Sequence, residues 1–160
     1  QEYARGQLTS SALSKILLIL AVAFSSHCFG QTKPTDTLNI DFKEILLKET
    51  WLTDRILGLD SSISTYTLTK YVQKGKFAGN ITQFSDSIYF HSSYTAWCGN
   101  DNFTHVRGTY RFSGKNKITI SVNTVTYTGE WTKPTEYRET NYITFTIFMV
   151  GDTIELRKDD

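Results

Sequence analysis

The chain has 160 residues, with 17 basic against 16 acidic side chains and a formal charge of +1. Nucleic-acid proteins need a basic face, so this balance disfavours that class. The densest basic cluster, Lys70, Lys74 and Lys76, reads as a solvated turn with edge-strand lysines that deter aggregation.

Residues 1–30 read as an upstream extension followed by a signal peptide. Lys15 precedes the apolar run Ile16 to Phe24, and the small or polar Ser25-Ser26-His27-Cys28-Phe29-Gly30 follows, which is the three-part order of an export signal. The run is well short of the ~20 residues that cross a bilayer as a helix. Small Cys28 and Gly30 place cleavage after Gly30, leaving Gln31 first in the mature chain. Acylation at Cys28 is a second reading, which bulky His27 and polar Ser25 fit poorly. The expected location is secreted or periplasmic, with a lipid anchor at Cys28 on the second reading. Cleavage leaves Cys98 alone, unable to form an internal disulfide.

Residues 31–37, with Pro34, form a short flexible leader, and residues 38–160 a single domain large enough to bury a core without disulfides. Leu38 to Lys48 brings Ile40, Ile45, Leu46 and Leu47 near one helical face, with Asp41 and Glu44 early and Lys48 late, so one short helix is expected. The period then changes to two. Trp51 to Leu57 reads as a strand closed by Gly58, and Leu59 to Ser64 as a loop. Thr65 to Val72 is a strand with Tyr66, Leu68 and Val72 on one face, and Phe77 to Phe84 another. Ile88 to Tyr94 and Thr104 to Phe112 flank the loop that holds Trp97 and Cys98. A hairpin at Ser113-Gly-Lys-Asn116 leads into Lys117 to Asn123, where the phase slips at Thr124-Val125 as at a bulge. Glu130 to Thr140 is a longer connection, and Tyr142 to Val150 and Thr153 to Lys158 are joined at Gly151-Asp152.

These elements predict a mainly β protein: a small antiparallel barrel of about eight strands preceded by one short helix. Composition agrees, because Thr, Tyr, Phe, Ile and Val dominate after Thr65.

A loop centred on Cys98 places His91 opposite His105, Tyr89 opposite Arg107 and Phe90 opposite Val106. Opposed histidines are close enough to share a metal ion, and Asp101 or Cys98 would supply the third ligand that zinc requires. Ile88, Phe90, Val106, Tyr110 and Phe112 claim the core side of these strands, and the neighbours Tyr89, Arg107, Thr109 and Arg111 put the histidine pair on an outer face, where two exposed histidines are the ordinary reading. Cys98 with a histidine and Asn100 or Asp101 also supplies the ingredients of a thiol nucleophile, without a surrounding signature. Glu130, Glu136 and Glu139 fall in the longer connection and read as solvated. Gly99-Asn100-Asp101-Asn102 suits a turn on backbone grounds alone.

Trp51, Cys98-Gly99-Asn100, Phe103, Gly108-x-Tyr110 and the turn leading to Ile118-x-Ile120 together resemble the small exported lipocalin-like and META-type domains of Gram-negative bacteria. META domains carry Gly-Cys-Asn where this chain has Cys-Gly-Asn. The resemblance implies an exported barrel, in some members with a ligand cavity, and no catalytic residues. The expected function is a non-enzymatic, lipocalin-like binding module for a small apolar ligand or an envelope protein, without a cofactor. Trp97, Cys98, Asn100, Tyr110 and Trp131 are its expected contacts. The alternative is a metal-dependent or thiol hydrolase using His91, His105, Cys98 and Asp101.

Overall fold

The computed structural model describes residues 40–97, 101–130 and 132–160. Asp41 caps α1 (Phe42–Lys48), its carboxylate accepting from the Lys43 amide at 3.0 Å. Glu44 and Lys48 pair at 3.6 Å along the helix. Phe42 and Leu46, one turn apart, are fully buried. The helix ends where Glu49 becomes extended, and Trp51 Nε1 donates to the Leu46 carbonyl at 3.1 Å, satisfying one of the carbonyls a helix leaves open.

Among the described residues nine strands follow: β1 Thr50–Thr53, β2 Thr65–Lys70, β3 Ala78–Phe84, β4 Tyr89–Ala96, β5 Asn102–Phe112, β6 Lys117–Gly129, β7 Glu136–Tyr137, β8 Tyr142–Val150 and β9 Thr153–Lys158. They form one antiparallel sheet in the order β5-β4-β3-β1-β2-β9-β8-β6-β7, and β5 also pairs with β6, so the sheet closes in a ring. β1 lies between β2 and β3. β6 gives one side to β5 along almost all its length. Its other side goes to β8 over Lys117–Ser121 and to β7 at Thr124 and Val125.

The expected phase slip is present as a bulge. Arg107 pairs with Thr124 but Gly108 pairs with Val122, leaving Asn123 as the extra residue. The inward series Ile118, Ile120, Val122 therefore resumes at Val125, and all four are buried. Gly108 is required at the slip, because a Cβ there would stand 2.2 Å from the Ser121 carbonyl oxygen and 2.5 Å from Phe90 Cε1.

Three expectations need correction. The strand drawn over Trp51 to Leu57 stops at Thr53, and the chain turns inward. Leu57 is wholly buried, and its amide donates to Ser92 Oγ at 2.9 Å. Ser92 in turn bonds Thr82 Oγ1 at 2.7 Å, and Thr82 bonds Thr53 Oγ1 at 3.3 Å. A row of hydroxyls from three strands thus anchors the loop and satisfies polar groups that would be costly to bury alone. The Gly58 amide donates to the Tyr66 hydroxyl at 3.2 Å, and Arg138 donates to the Gly58 and Leu59 carbonyls at 3.2 and 2.8 Å. A Cβ on Gly58 would meet Val122 Cγ2 at 2.7 Å, so the loop lies against inward-facing side chains. Second, Val72 does not share the buried face of Tyr66 and Leu68, since β2 ends at Lys70 and Val72 is exposed. Third, Ile88 is not a core strand residue. It sits in the turn before β4 with φ +66° and 57% exposure, a left-handed conformation that crowds a β-branched side chain.

Two stability measurements follow. Leu57→Ala should cost about 2–5 kcal/mol in denaturant unfolding, the range for emptying a fully packed leucine site; a change near zero would mean that the loop is not part of the core. Ile88→Asn should raise stability by about 1 kcal/mol, because Asn tolerates the left-handed region and little apolar burial is lost; a lowered melting temperature would contradict the assigned backbone.

Candidate functional site

The hairpin of β4 and β5 carries both histidines outward, as their neighbours foretold, but in a different register. His91 pairs with Arg107 and Ser93 with His105, while Tyr89 faces Thr109 and Phe90 faces Gly108. The expected direct opposition of His91 and His105 is therefore corrected by two residues. Such a slip keeps every side chain on its own face, because the period of a strand is two. The histidines become diagonal neighbours, and their rings stack with centroids 5.6 Å apart and planes 10° from parallel.

His105 Nε2 lies 3.2 Å from Thr128 Oγ1. His91 Nε2 is shielded from solvent and has no hydrogen-bond partner among the described residues. Burial, then His105 and Arg107, holds the His91 pKa below the usual histidine value. Burial and then Arg107 do the same for His105. Both rings are thus predominantly neutral at pH 7. Among the described residues no three of His, Cys, Asp and Glu come together as a metal ion would require, so Asp101 does not complete a site with the two histidines.

The remaining expected contacts are not gathered at one place. Trp97, beyond the end of β4, is 61% exposed, and Lys76 Nζ lies 3.9 Å from its ring centroid. Tyr110 is buried at the other end of β5, paired with Ile120, and its hydroxyl donates to the Ser85 carbonyl. Cys98, Asn100 and Trp131 lie outside the described residues. Glu136, expected in a solvated connection, stands on β7 and accepts from the Tyr127 hydroxyl at 2.6 Å.

A different site emerges from the register. Thr50, Gln83, His91 and Arg107 are successive partners across β1, β3, β4 and β5. Gln83 Nε2 donates to Thr50 Oγ1 at 2.8 Å. The C-terminal end of α1, at Leu47 and Lys48, stands beside this row. Between them runs a half-open groove of about 610 Å³, lined also by Tyr89. That volume lies within the range of small-molecule sites, and the lining mixes apolar surface with a few polar groups in the manner of such sites. Arg107 and His91 were legible as outward neighbours on the central hairpin, and Gln83 joins them through the β3–β4 pairing; Thr50, and with it the end of α1 at Leu47, arrives only through the placement of β1 beside β3, which no local pattern encodes.

No family model, no curated protein and no solved structure matches the chain at significance.

The histidines make a pH dependence testable. Their folded-state pKa values are lowered from the ordinary 6.5, so below that pH the unfolded chain binds more protons than the folded one. Stability contributed by these rings is present above pH 6.5 and is lost as pH falls through the lowered values. The melting temperature should drop as the pH is taken below 6.5, and the double variant His91→Gln, His105→Gln should flatten that drop. Histidine ring resonances that titrate at the ordinary value would refute the assignment.

Proposed function

We propose that this protein is an exported, non-enzymatic binding module of the lipocalin-like and META type, in which the closed ring serves as a small barrel and the ligand docks outside it. The observation that carries this reading is the groove between the end of α1 and the outer face of β3 to β5, set against an interior filled by the protein's own side chains. A lipocalin-like cavity would have to share its space with Leu57 and with the fully buried Tyr66, Leu68, Ile120 and Phe145. Small barrels are commonly filled in this way. The outer groove keeps an apolar wall at Leu47 and offers Tyr89 as an aromatic surface, which suits a small ligand with an apolar body.

Trp51 and the Gly108-x-Tyr110 pattern are among the residues that carry the resemblance to those exported domains. The apolar run at Ile16 to Phe24 supports export.

The test is binding of the fluorescent dye anilinonaphthalene sulfonate to the folded protein. Gln83 is exposed at the middle of the groove, and Gln83→Trp places a bulky ring there without disturbing the core. Wild-type protein should enhance dye fluorescence saturably, and Gln83→Trp should remove that enhancement while keeping the melting temperature. Equal enhancement by both proteins would place binding elsewhere, and no enhancement by either would count against a ligand groove.

A further inference from the structure

Among the described residues the arginines are satisfied in all cases but one. Among the described residues, Arg55 lies 4.0 Å from Asp54, Arg138 3.4 Å from Glu136 and Arg157 2.6 Å from Glu155. Arg111 rests over the Tyr142 ring at 5.5 Å. Arg107 has neither an acid nor an aromatic partner among them, although it is exposed and forms part of the groove wall.

The surroundings of Arg107 do not offset its charge. Its register partners are His91 on one side and Thr124 on the other, with Gln83 one strand beyond His91 and Tyr137 one strand beyond Thr124. None of these carries a negative charge. The carboxylate that the groove does contain, Glu49, is bonded to Lys70, and the nearby Lys48 is paired with Glu44. The groove therefore presents one uncompensated guanidinium at one end and the apolar side chain of Leu47 at the other.

That distribution of charge and apolar surface specifies a ligand. Resting on the groove reading above, we infer that the ligand is an amphipathic carboxylate, its carboxyl group paired with Arg107 and its apolar body laid toward Leu47. A guanidinium presents two parallel donors that match the two oxygens of a carboxylate, and such bidentate pairs are stronger than neutral hydrogen bonds. An uncharged ligand of equal size would leave Arg107 to water and gain only the apolar contacts.

Calorimetry with decanoate and decanol separates these cases, because the two probes share a chain and differ in the head group. Wild-type protein should bind decanoate roughly tenfold or more tightly than decanol. Arg107→Gln should bring decanoate down to the level of decanol and leave decanol unchanged, and Arg107→Lys should retain part of the preference. Arg107 is on the surface, so unchanged melting temperatures should accompany both variants. Equal binding of the two probes by wild type, or a preference that survives Arg107→Gln, overturns the carboxylate inference. If decanol binds and Gln83→Trp abolishes it, the groove reading stands even when that preference is missing; if neither probe binds, both readings fall.

Discussion

The ladder between β5 and β6 is the constraint on which the rest of the structure depends. Without it the sheet would be an open ribbon with β5 as a long unpaired edge, and exposed edges recruit further strands. With it, eight strands pair on both sides and a common interior is defined. The ladder runs from Asn102 opposite Gly129 to Phe112 opposite Ile118 and contains one irregularity, the bulge at Asn123. A bulge increases local twist and bends the strand that carries it, which a sheet needs in order to curl onto itself. Asn123 is also where the outer partner of β6 changes from β8 to β7, and its carbonyl accepts from the Arg138 amide at 2.9 Å. The residue left over by the ladder thus ties down the segment whose guanidinium holds the Gly58 and Leu59 carbonyls.

Closure then decides what the interior can hold. A ring of this size has an interior that side chains alone can fill, and here the loop carrying Leu57 enters it as well. The row of hydroxyls from Thr53 through Thr82 to Ser92 is what makes that entry possible, because a backbone amide brought into an apolar core must find an acceptor. Ser92 supplies it. The polar residues on the inward face of β1, β3 and β4 are therefore not interruptions of the core pattern but the attachment of the loop. The groove lies outside in consequence, on the face where α1 ends against β3 to β5.

Much of this was legible in the chain, and the misses share a cause. The strands β2 to β6, β8 and β9, the helix over its charged ends and the bulge near Thr124 follow from local periodicity, which depends on residues close in sequence, whereas the two-residue β7 falls in the segment read as a connection. What local pattern does not contain is which strands become neighbours. Setting β1 between β2 and β3 brings Thr50 and the preceding Leu47 to the groove, and nothing at Thr50–Thr53 announces it. The register of the central hairpin shows the same limit in miniature. Its partners are symmetric about position 99 rather than 98, since His91 faces Arg107, and composition at the loop does not distinguish the two. Parity survived the slip, so the outward placement of the histidines was right while their partner was not. Ile88 was misplaced for a different reason: an isoleucine beside a strand reads as core, and only its positive φ reveals the turn.

The slip in register is also what gives the site its charge pattern. With His91 opposite His105, Arg107 would stand across from Tyr89, an aromatic partner of the kind Arg111 finds in Tyr142. The observed register instead sets Arg107 against His91, whose burial keeps it neutral and whose ring is already stacked on His105. On its other side Arg107 faces Thr124, which carries no charge, where the bulge begins. The constraint that closes the ring and the residue that escapes charge compensation are therefore adjacent in the chain: Gly108 permits the close approach of Phe90 and the Ser121 carbonyl, and Arg107, one position earlier, is left facing the groove.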